Sequence, residues 1–343
     1  MKSIFLTDHH QLEIVDEKKP EIINPDDVLI RIKSVGVCGS DIHYYTQGKI
    51  GDQIIKYPFR IGHECAGIVE EVNSGVEKIK PGDRIAIDPL IYCGKCSQCL
   101  SGRFHTCLNQ KFLGCPGQFS GALAEYIVLP EKCCYDIPDS ITFHQAVLSE
   151  PLSVAIHALS FIAGTDKSIA VLGTGPIGLS VIAAAKYMGI NKIYSTDLLE
   201  YRNNIALNIG AIFSGNPQIK NTIEKFYELE PEGIDVVFDC CGKQEALDDA
   251  IQILKPGGKL ILVGIPETET ITFNPHLLRR KEINIQNVRR QNEKVDEALK
   301  MIAEPNFSID FMITHNFNLE KTKTAFDIVE NYDDGVVKVI INI

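Results

Sequence analysis

The stretch SIAVLGTGPIGLSVIAAAKYMG, beginning at Ser168, restricts the possible folds of this chain more than any other. Its apolar opening reads as a strand buried on both faces. Gly173, Gly175 and Gly178 follow in G-x-G-x-x-G order, with Pro176 and Ile177 between the last two, and an alanine-rich helical run comes next. KIYSTD reads as the following strand and ends on Asp197, at the spacing of about 20 residues that makes this glycine motif specific. Gly173 permits a tight turn, Gly175 the close approach of a pyrophosphate, and Gly178 the packing of helix on strand. The helix N-terminus offers phosphates its N–H donors and positive dipole end. Asp197 accepts hydrogen bonds from the ribose hydroxyls of an adenosine half and repels a 2′-phosphate, which favours NAD over NADP. Arg202 either stacks on adenine or contacts a 2′-phosphate.

Strand and helix signals keep alternating after this unit. EYRNNIALNIG and QEALDDAIQILKPGG read as helices, and IDVVFDCCG, KLILVG and INIQNV as strands. The rhythm predicts an α/β fold with a doubly wound parallel (Rossmann) domain over residues 151–286. Residues 1–150 read differently. DVLIRIKSVGVCG, HECAGIVEEVNSG, DRIAIDPLIYCG and ALAEYIVLP are short apolar or alternating runs broken by Pro-Gly and Asn-Ser-Gly turns, the pattern of a β-rich domain. Residues 287–343 are expected to rejoin it. Two domains suit a chain of 343 residues.

A net charge of −11 argues against nucleic acid and anionic membrane as partners. No apolar run approaches the ~18 residues of a membrane span, and MKSIFLTDHHQLEIVDEKKP is too charged for a secretory leader, so a cytoplasmic location is expected. The odd count of 11 cysteines then argues against a disulfide framework. Four of them, Cys93, Cys96, Cys99 and Cys107 in CGKCSQCLSGRFHTC, have the short spacings that let thiolates converge on one metal ion. Zinc is the first reading and an iron–sulfur cluster its competitor. Lys95, Arg103 and loop N–H groups would offset the excess thiolate charge. Four sulfur ligands leave no open position, so a zinc here pins a lobe and the reactive metal lies elsewhere.

GVCGSDIHYY and IGHECAG place a cysteine, histidines and acids in what reads as non-helical context. Thiolate, imidazole and carboxylate together meet zinc's preferences. In order along the chain stand Cys38-Gly39-Ser40-Asp41, Gly62-His63-Glu64, the four-cysteine lobe, Glu150-Pro151-Leu152-Ser153 and GTGPIG. This series resembles the zinc-dependent medium-chain alcohol dehydrogenases over essentially the whole chain, and CGSDIHYYTQGKIG and SEPLSVAIHA are similar to their polyol branch, the sorbitol and xylitol dehydrogenases.

The resemblance implies a GroES-like catalytic domain and two zinc ions per chain. It implies Cys38, His63 and Glu64 as ligands of the catalytic zinc, with Glu150 either a direct ligand or the holder of a bound water or substrate hydroxyl. Asp41 would orient His63. Ser40 would take the hydroxyl proton and pass it by way of the cofactor ribose to His43, while Val263, Gly264 and Ile265 would line the cofactor. Tyr44, Glu150 and Arg290 are its candidate substrate contacts. Gln291 stands where sorbitol dehydrogenases have a tyrosine, and Arg289 with Arg290 suits an anionic sugar acid or sugar phosphate equally well. The implied activity is NAD-dependent oxidation of a polyol's secondary hydroxyl to a ketose. Idonate-like sugar acids, alditol phosphates and L-threonine are alternatives. A non-catalytic zinc- and NAD-binding protein would have lost a ligand, and none is lost. A homo-oligomer, dimer or tetramer, is implied, with KLILVG a candidate edge strand for pairing between subunits.

Overall fold

Strand Asp27–Gly36 is the spine of the first of two structural units, and nearly all of its residues are buried. Five of its ten residues, Val28, Leu29, Ile30, Ile32 and Val35, carry β-branched or apolar side chains, which suits a strand covered on both faces. The computed structural model describes residues 1–219 and 222–343. In it the spine pairs antiparallel with Glu64–Val72 along most of its length, with Tyr126–Pro130 over its first half, and with Lys338–Asn342 at its end. The complete sheet has seven strands, in the order Cys134–Asp136, Arg84–Ile87, Glu64–Val72, Asp27–Gly36, Lys338–Asn342 and Ile313–Asn318, with Tyr126–Pro130 joined to the spine. Ile30, Ile32, Val35, Ile61, Ile85, Val339 and Ile341 fill the core around it. The carboxy-terminal strand belongs to this sheet, which is why residues 292–343 fold with residues 1–150.

The second unit spans residues 151–291. Its boundary falls after Gln291 rather than after 286, because strand Asn284–Asn287 and the bond from the Val288 N–H to the Leu262 carbonyl keep this segment on the sheet. Six parallel strands lie in the order Phe213–Gly215, Lys192–Thr196, Ser168–Leu172, Ile234–Asp239, Leu254–Leu262 and Asn284–Asn287. Numbered along the chain, that is 3-2-1-4-5-6, the doubly wound order with its switch point between the first and fourth strands. KLILVG falls largely within Leu254–Leu262, which has a neighbour on each side. The edge strands are therefore Phe213–Gly215 and Asn284–Asn287, not KLILVG.

A second correction concerns CGSDIHYY. Residues Gly39–Gln47 form a helix with Cys38 at its N-cap, and the Asp41 carboxylate accepts the Cys38 N–H at 3.1 Å. Nine residues containing two tyrosines and a threonine have little intrinsic helical preference, so that cap and the burial of Tyr44 and Tyr45 maintain the helix. Among the described residues no helix is long and apolar enough to cross a membrane.

Far from the switch point, Asp235 fastens the amino-terminal ends of two strands of the second unit. Its carboxylate accepts from the Ser168 hydroxyl and N–H and from the Lys167 N–H, and pairs with Lys255. Burial alone would raise its pKa, but Lys255, Ser168 and these N–H groups hold it down at about 2 instead of 3.8. A depressed carboxylate pKa stabilises the fold above the unfolded value and loses that contribution as pH falls through the folded one. Solvent screens the pair because Lys255 is 35% exposed, so the contribution is about 1–2 kcal/mol. Asp235→Asn should cost that amount at pH 7 and flatten the loss of stability between pH 4 and 2, as read by denaturant titrations at successive pH values. A variant with the wild-type acid profile would contradict this assignment.

Candidate metal and cofactor sites

The register of two paired strands assembles the first cluster. Gly36, the last residue of the spine, lies opposite Glu64, the first residue of its neighbour. His63 directly precedes that neighbour, and Cys38 follows the spine as the helix cap. Two adjacent strand ends thereby bring the Cys38 Sγ, a ring nitrogen of His63 and a carboxylate oxygen of Glu64 within 4.8 Å of one another. His63 and Glu64 are buried and Cys38 is half-buried. Gly36 is required here, since a Cβ would stand only 2.4 Å from Glu64 Oε2.

One carboxylate organises the two loops. Asp41 Oδ1 accepts the Gly62 N–H at 3.1 Å and lies 3.5 Å from His63 Nδ1, while Oδ2 accepts the Cys38 N–H. Asp41 is buried, so it fixes the imidazole and the cysteine loop together. Burial opposes a charge on His63, but Asp41 and Cys38 outweigh it and raise its pKa well above the ordinary value. A soft thiolate, an imidazole and a carboxylate, oriented by a further carboxylate, fit one zinc ion.

Glu150 stands outside this converging trio. It is buried, and burial raises its carboxyl to about 7 against the pull of His63, with the Glu64 charge adding to the rise. Sequence reading missed Lys338. This lysine is 1% exposed and donates to Glu64 Oε1 and Oε2 at 2.8 and 2.7 Å and to the Val37 carbonyl at 3.1 Å. The available signal was a single charge inside the apolar run GVVKVIINI.

The second cluster is the four-cysteine loop. Its sulfurs stand 3.6 Å apart for Cys96–Cys99, 3.9 Å for Cys96–Cys107 and 4.0 Å for Cys93–Cys99. A zinc–sulfur bond of about 2.3 Å gives tetrahedral edges of about 3.8 Å, so the four thiolates fit a single ion. Ligands of a multi-iron cluster bind different irons and stand wider apart. The N–H groups of Cys93 and Asn109 point at the Cys107 sulfur from 3.3 and 3.4 Å, and backbone N–H groups, that of Lys95 foremost, lower Cys93 to about 6. Among the described residues no cysteine forms a disulfide.

In the second unit the glycine turn is built for close approach. Gly175 caps helix Pro176–Tyr187, with Pro176 and Ile177 in its first turn. A Cβ on Gly178 would lie 2.0 Å from the Gly173 carbonyl and 3.1 Å from Val171, so only glycine lets this helix pack on its strand. Asp197 is buried at the end of the next strand. Its Oδ2 accepts the Thr174 N–H at 2.7 Å and its Oδ1 accepts the Leu199 N–H at 2.9 Å, which ties the acid to the turn. The Arg202 guanidinium stands beside Gly175, 3.6 Å from where a Cβ would be. The N–H groups of Val263 and Gly264 donate to the Asp239 carbonyl, and Ile265 beyond them is 46% exposed.

The remaining candidates are scattered. Ser40 and His43 are half-buried on the helix capped by Cys38. Tyr44 is buried in the first unit's core, where its hydroxyl donates to Gln53 Oε1 at 3.0 Å. Arg290 belongs to the second unit, half-buried at a left-handed φ of 54°, and Gln291 beside it is buried.

A family model described as "Alcohol dehydrogenase GroES-like domain" matches residues 24–139, and one described as "Zinc-binding dehydrogenase" matches residues 176–304. Sorbitol dehydrogenase of Bacillus subtilis is 34% identical over 99% of this chain and 97% of its own length. L-Idonate 5-dehydrogenase of Vitis vinifera is 33% identical over 94% of this chain and 89% of its own. Among solved structures, a zinc-binding dehydrogenase of Sinorhizobium meliloti bound to NADP superposes with a TM-score of 0.89 at 28% identity, covering 100% of this chain and 99% of that one.

The tetrahedral sulfur cage has a consequence for stability. With a zinc ion held by these four sulfurs, Cys96→Ser should lose one zinc per chain relative to wild type and lower the thermal midpoint, because the loop would lose its cross-link. Metal analysis and thermal unfolding check this, and full zinc retention with an unchanged midpoint would refute it.

Proposed function

The chain belongs to the zinc-dependent medium-chain dehydrogenases, in their polyol-dehydrogenase-like branch, and on that basis we propose that it oxidises a secondary hydroxyl of a polyol or sugar acid to the ketone, with NAD as hydride acceptor. The observation that carries the reading is the convergence of Cys38, His63 and Glu64, three unlike donors on two adjacent strand ends. It is an alcohol dehydrogenase by family, and the relatives named for sorbitol and L-idonate support the substrate class.

When bound, the zinc ion makes a nearby hydroxyl acidic and the dinucleotide accepts the hydride. The chain's own residues do the rest. Cys38, His63 and Glu64 hold the ion and Asp41 fixes the imidazole. Ser40 takes the hydroxyl proton and His43, on the same short helix and half-exposed, hands it to water. Glu150, buried and with its pKa raised to about 7, holds a neighbouring hydroxyl as donor or acceptor. Arg290 and the exposed Arg289 favour an anionic group on the substrate. The Cys93, Cys96, Cys99 and Cys107 cage holds a second, structural zinc. The reading includes a homo-oligomer, for which the exposed edge strand Asn284–Asn287 offers a pairing surface.

NAD rather than NADP rests on Asp197, whose carboxylate repels a 2′-phosphate and accepts from ribose hydroxyls. Asp197→Ala should weaken NAD binding about 10- to 100-fold, the worth of a charged hydrogen bond, and leave NADP binding unchanged or stronger. Titration of both dinucleotides checks this, and an unaltered preference would count against it.

The function itself is tested by NADH formation across alditols, aldonates, alditol phosphates and L-threonine, with and without a chelator. Chelator-sensitive turnover of an alditol or aldonate is the expected result. Cys38→Ser should lower turnover by roughly a thousandfold or more and remove one zinc per chain, with NADH binding retained. Turnover by a zinc-free Cys38→Ser enzyme would overturn the reading.

A further inference from the structure

The geometry assigns Lys338 a role that rests on the proposed metal site: we propose that it is a positioning residue that holds Glu64 back from the metal and so keeps Glu64 an exchangeable ligand. Both partners are 1% exposed, and the ammonium has all three of its donors in use, two on the Glu64 oxygens and one on the Val37 carbonyl. A lysine buried at this cost needs such complete pairing. Its position is specific. Val37 precedes Cys38, and Glu64 follows His63, so one ammonium touches both loops that carry the ligands. It reaches them from the carboxy-terminal strand, whose Val339 carbonyl also accepts the Val37 N–H.

The effect on Glu64 follows from counting lone pairs. An ionised carboxylate offers about four acceptor positions on two oxygens. Lys338 draws on both oxygens at once, and packing against Gly36 closes one side of Oε2. The ammonium therefore competes with a cation for the same electrons and weakens Glu64 as a donor, whereas the Cys38 sulfur meets only the neutral Asp41 N–H of its own helix cap. Lys338 also adds a positive charge beside the divalent ion. A site with two firm ligands and one restrained ligand keeps a position that a water or hydroxyl can take, which a catalytic zinc needs.

The test is zinc release to a chromogenic chelator from wild type, Lys338→Met, Lys338→Gln and Lys338→Arg. The catalytic-site phase is identified as the one missing in Cys38→Ser. Without the ammonium, Glu64 is drawn fully to the cation, so release from Lys338→Met and Lys338→Gln should slow about tenfold. Lys338→Arg, which keeps the charge and grips both oxygens, should release zinc at least as fast as wild type. The visible spectrum of the cobalt-substituted protein should shift in the Met and Gln variants only. Lys338→Gln keeps hydrogen-bonding capacity at the buried site and serves if Lys338→Met does not fold. In a Glu64→Gln background the Lys338 substitutions should have no further effect on release. Release at the wild-type rate or faster from both neutral variants, with an unchanged cobalt spectrum, would overturn the positioning role. A wild-type protein with no second zinc per chain would instead sink the metal-site assignment beneath it.

Discussion

The first unit depends on a buried ion pair at the end of its central strand. Lys338 and Glu64 meet where strands Asp27–Gly36, Glu64–Val72 and Lys338–Asn342 come together. Removing water from two charges is costly, and what offsets it is a full set of hydrogen bonds to both groups. That requirement couples distant things. The register of the sheet must put Gly36 opposite Glu64, residue 36 must lack a side chain, and the carboxy-terminal strand must return to the spine. When those conditions hold, Cys38 and His63 are brought near the same place, since each is covalently next to a constrained strand end.

Asp41 plays the complementary part on the other side of the cluster. One buried carboxylate caps the short helix, accepts from the Gly62 N–H and lies against His63. The same helix presents Ser40 and His43. The residues proposed for proton handling and for metal ligation thus share a scaffold of nine helical residues and two loops. Within the second unit a buried carboxylate acts in the same way, with Thr174 linking the glycine turn to Asp197.

The family assignment narrows what these sites do. Relatives named for a polyol and for a sugar acid stand at nearly the same identity, so similarity alone does not choose between them. The polar features local to this chain are Gln291, the adjacent Arg289 and Arg290, and a Tyr44 hydroxyl already engaged by Gln53.

Much of this was legible in one dimension. The glycine turn of Gly173, Gly175 and Gly178, with Asp197 at the end of the next strand, was legible because a strand, a turn and a helix N-terminus are made by neighbouring residues. Cys93, Cys96, Cys99 and Cys107 declare a metal cage for the same reason. Cys38, His63 and Glu64 were readable through resemblance, although the helix beginning at Gly39 was not, because its stability comes from the Asp41 cap and from buried tyrosines rather than from helical preference. The edge strand and the boundary after Gln291 were misjudged, since strand order is a matter of pairing across the sheet. For Lys338 the only signal was a lone charge in an apolar run, which acquires meaning only when the fold buries it beside its partner Glu64, 274 residues away. Residue types and short spacings therefore determined which chemistry the chain carries, whereas tertiary structure alone decided which charges are buried together, because that depends on contacts between segments that no local pattern encodes.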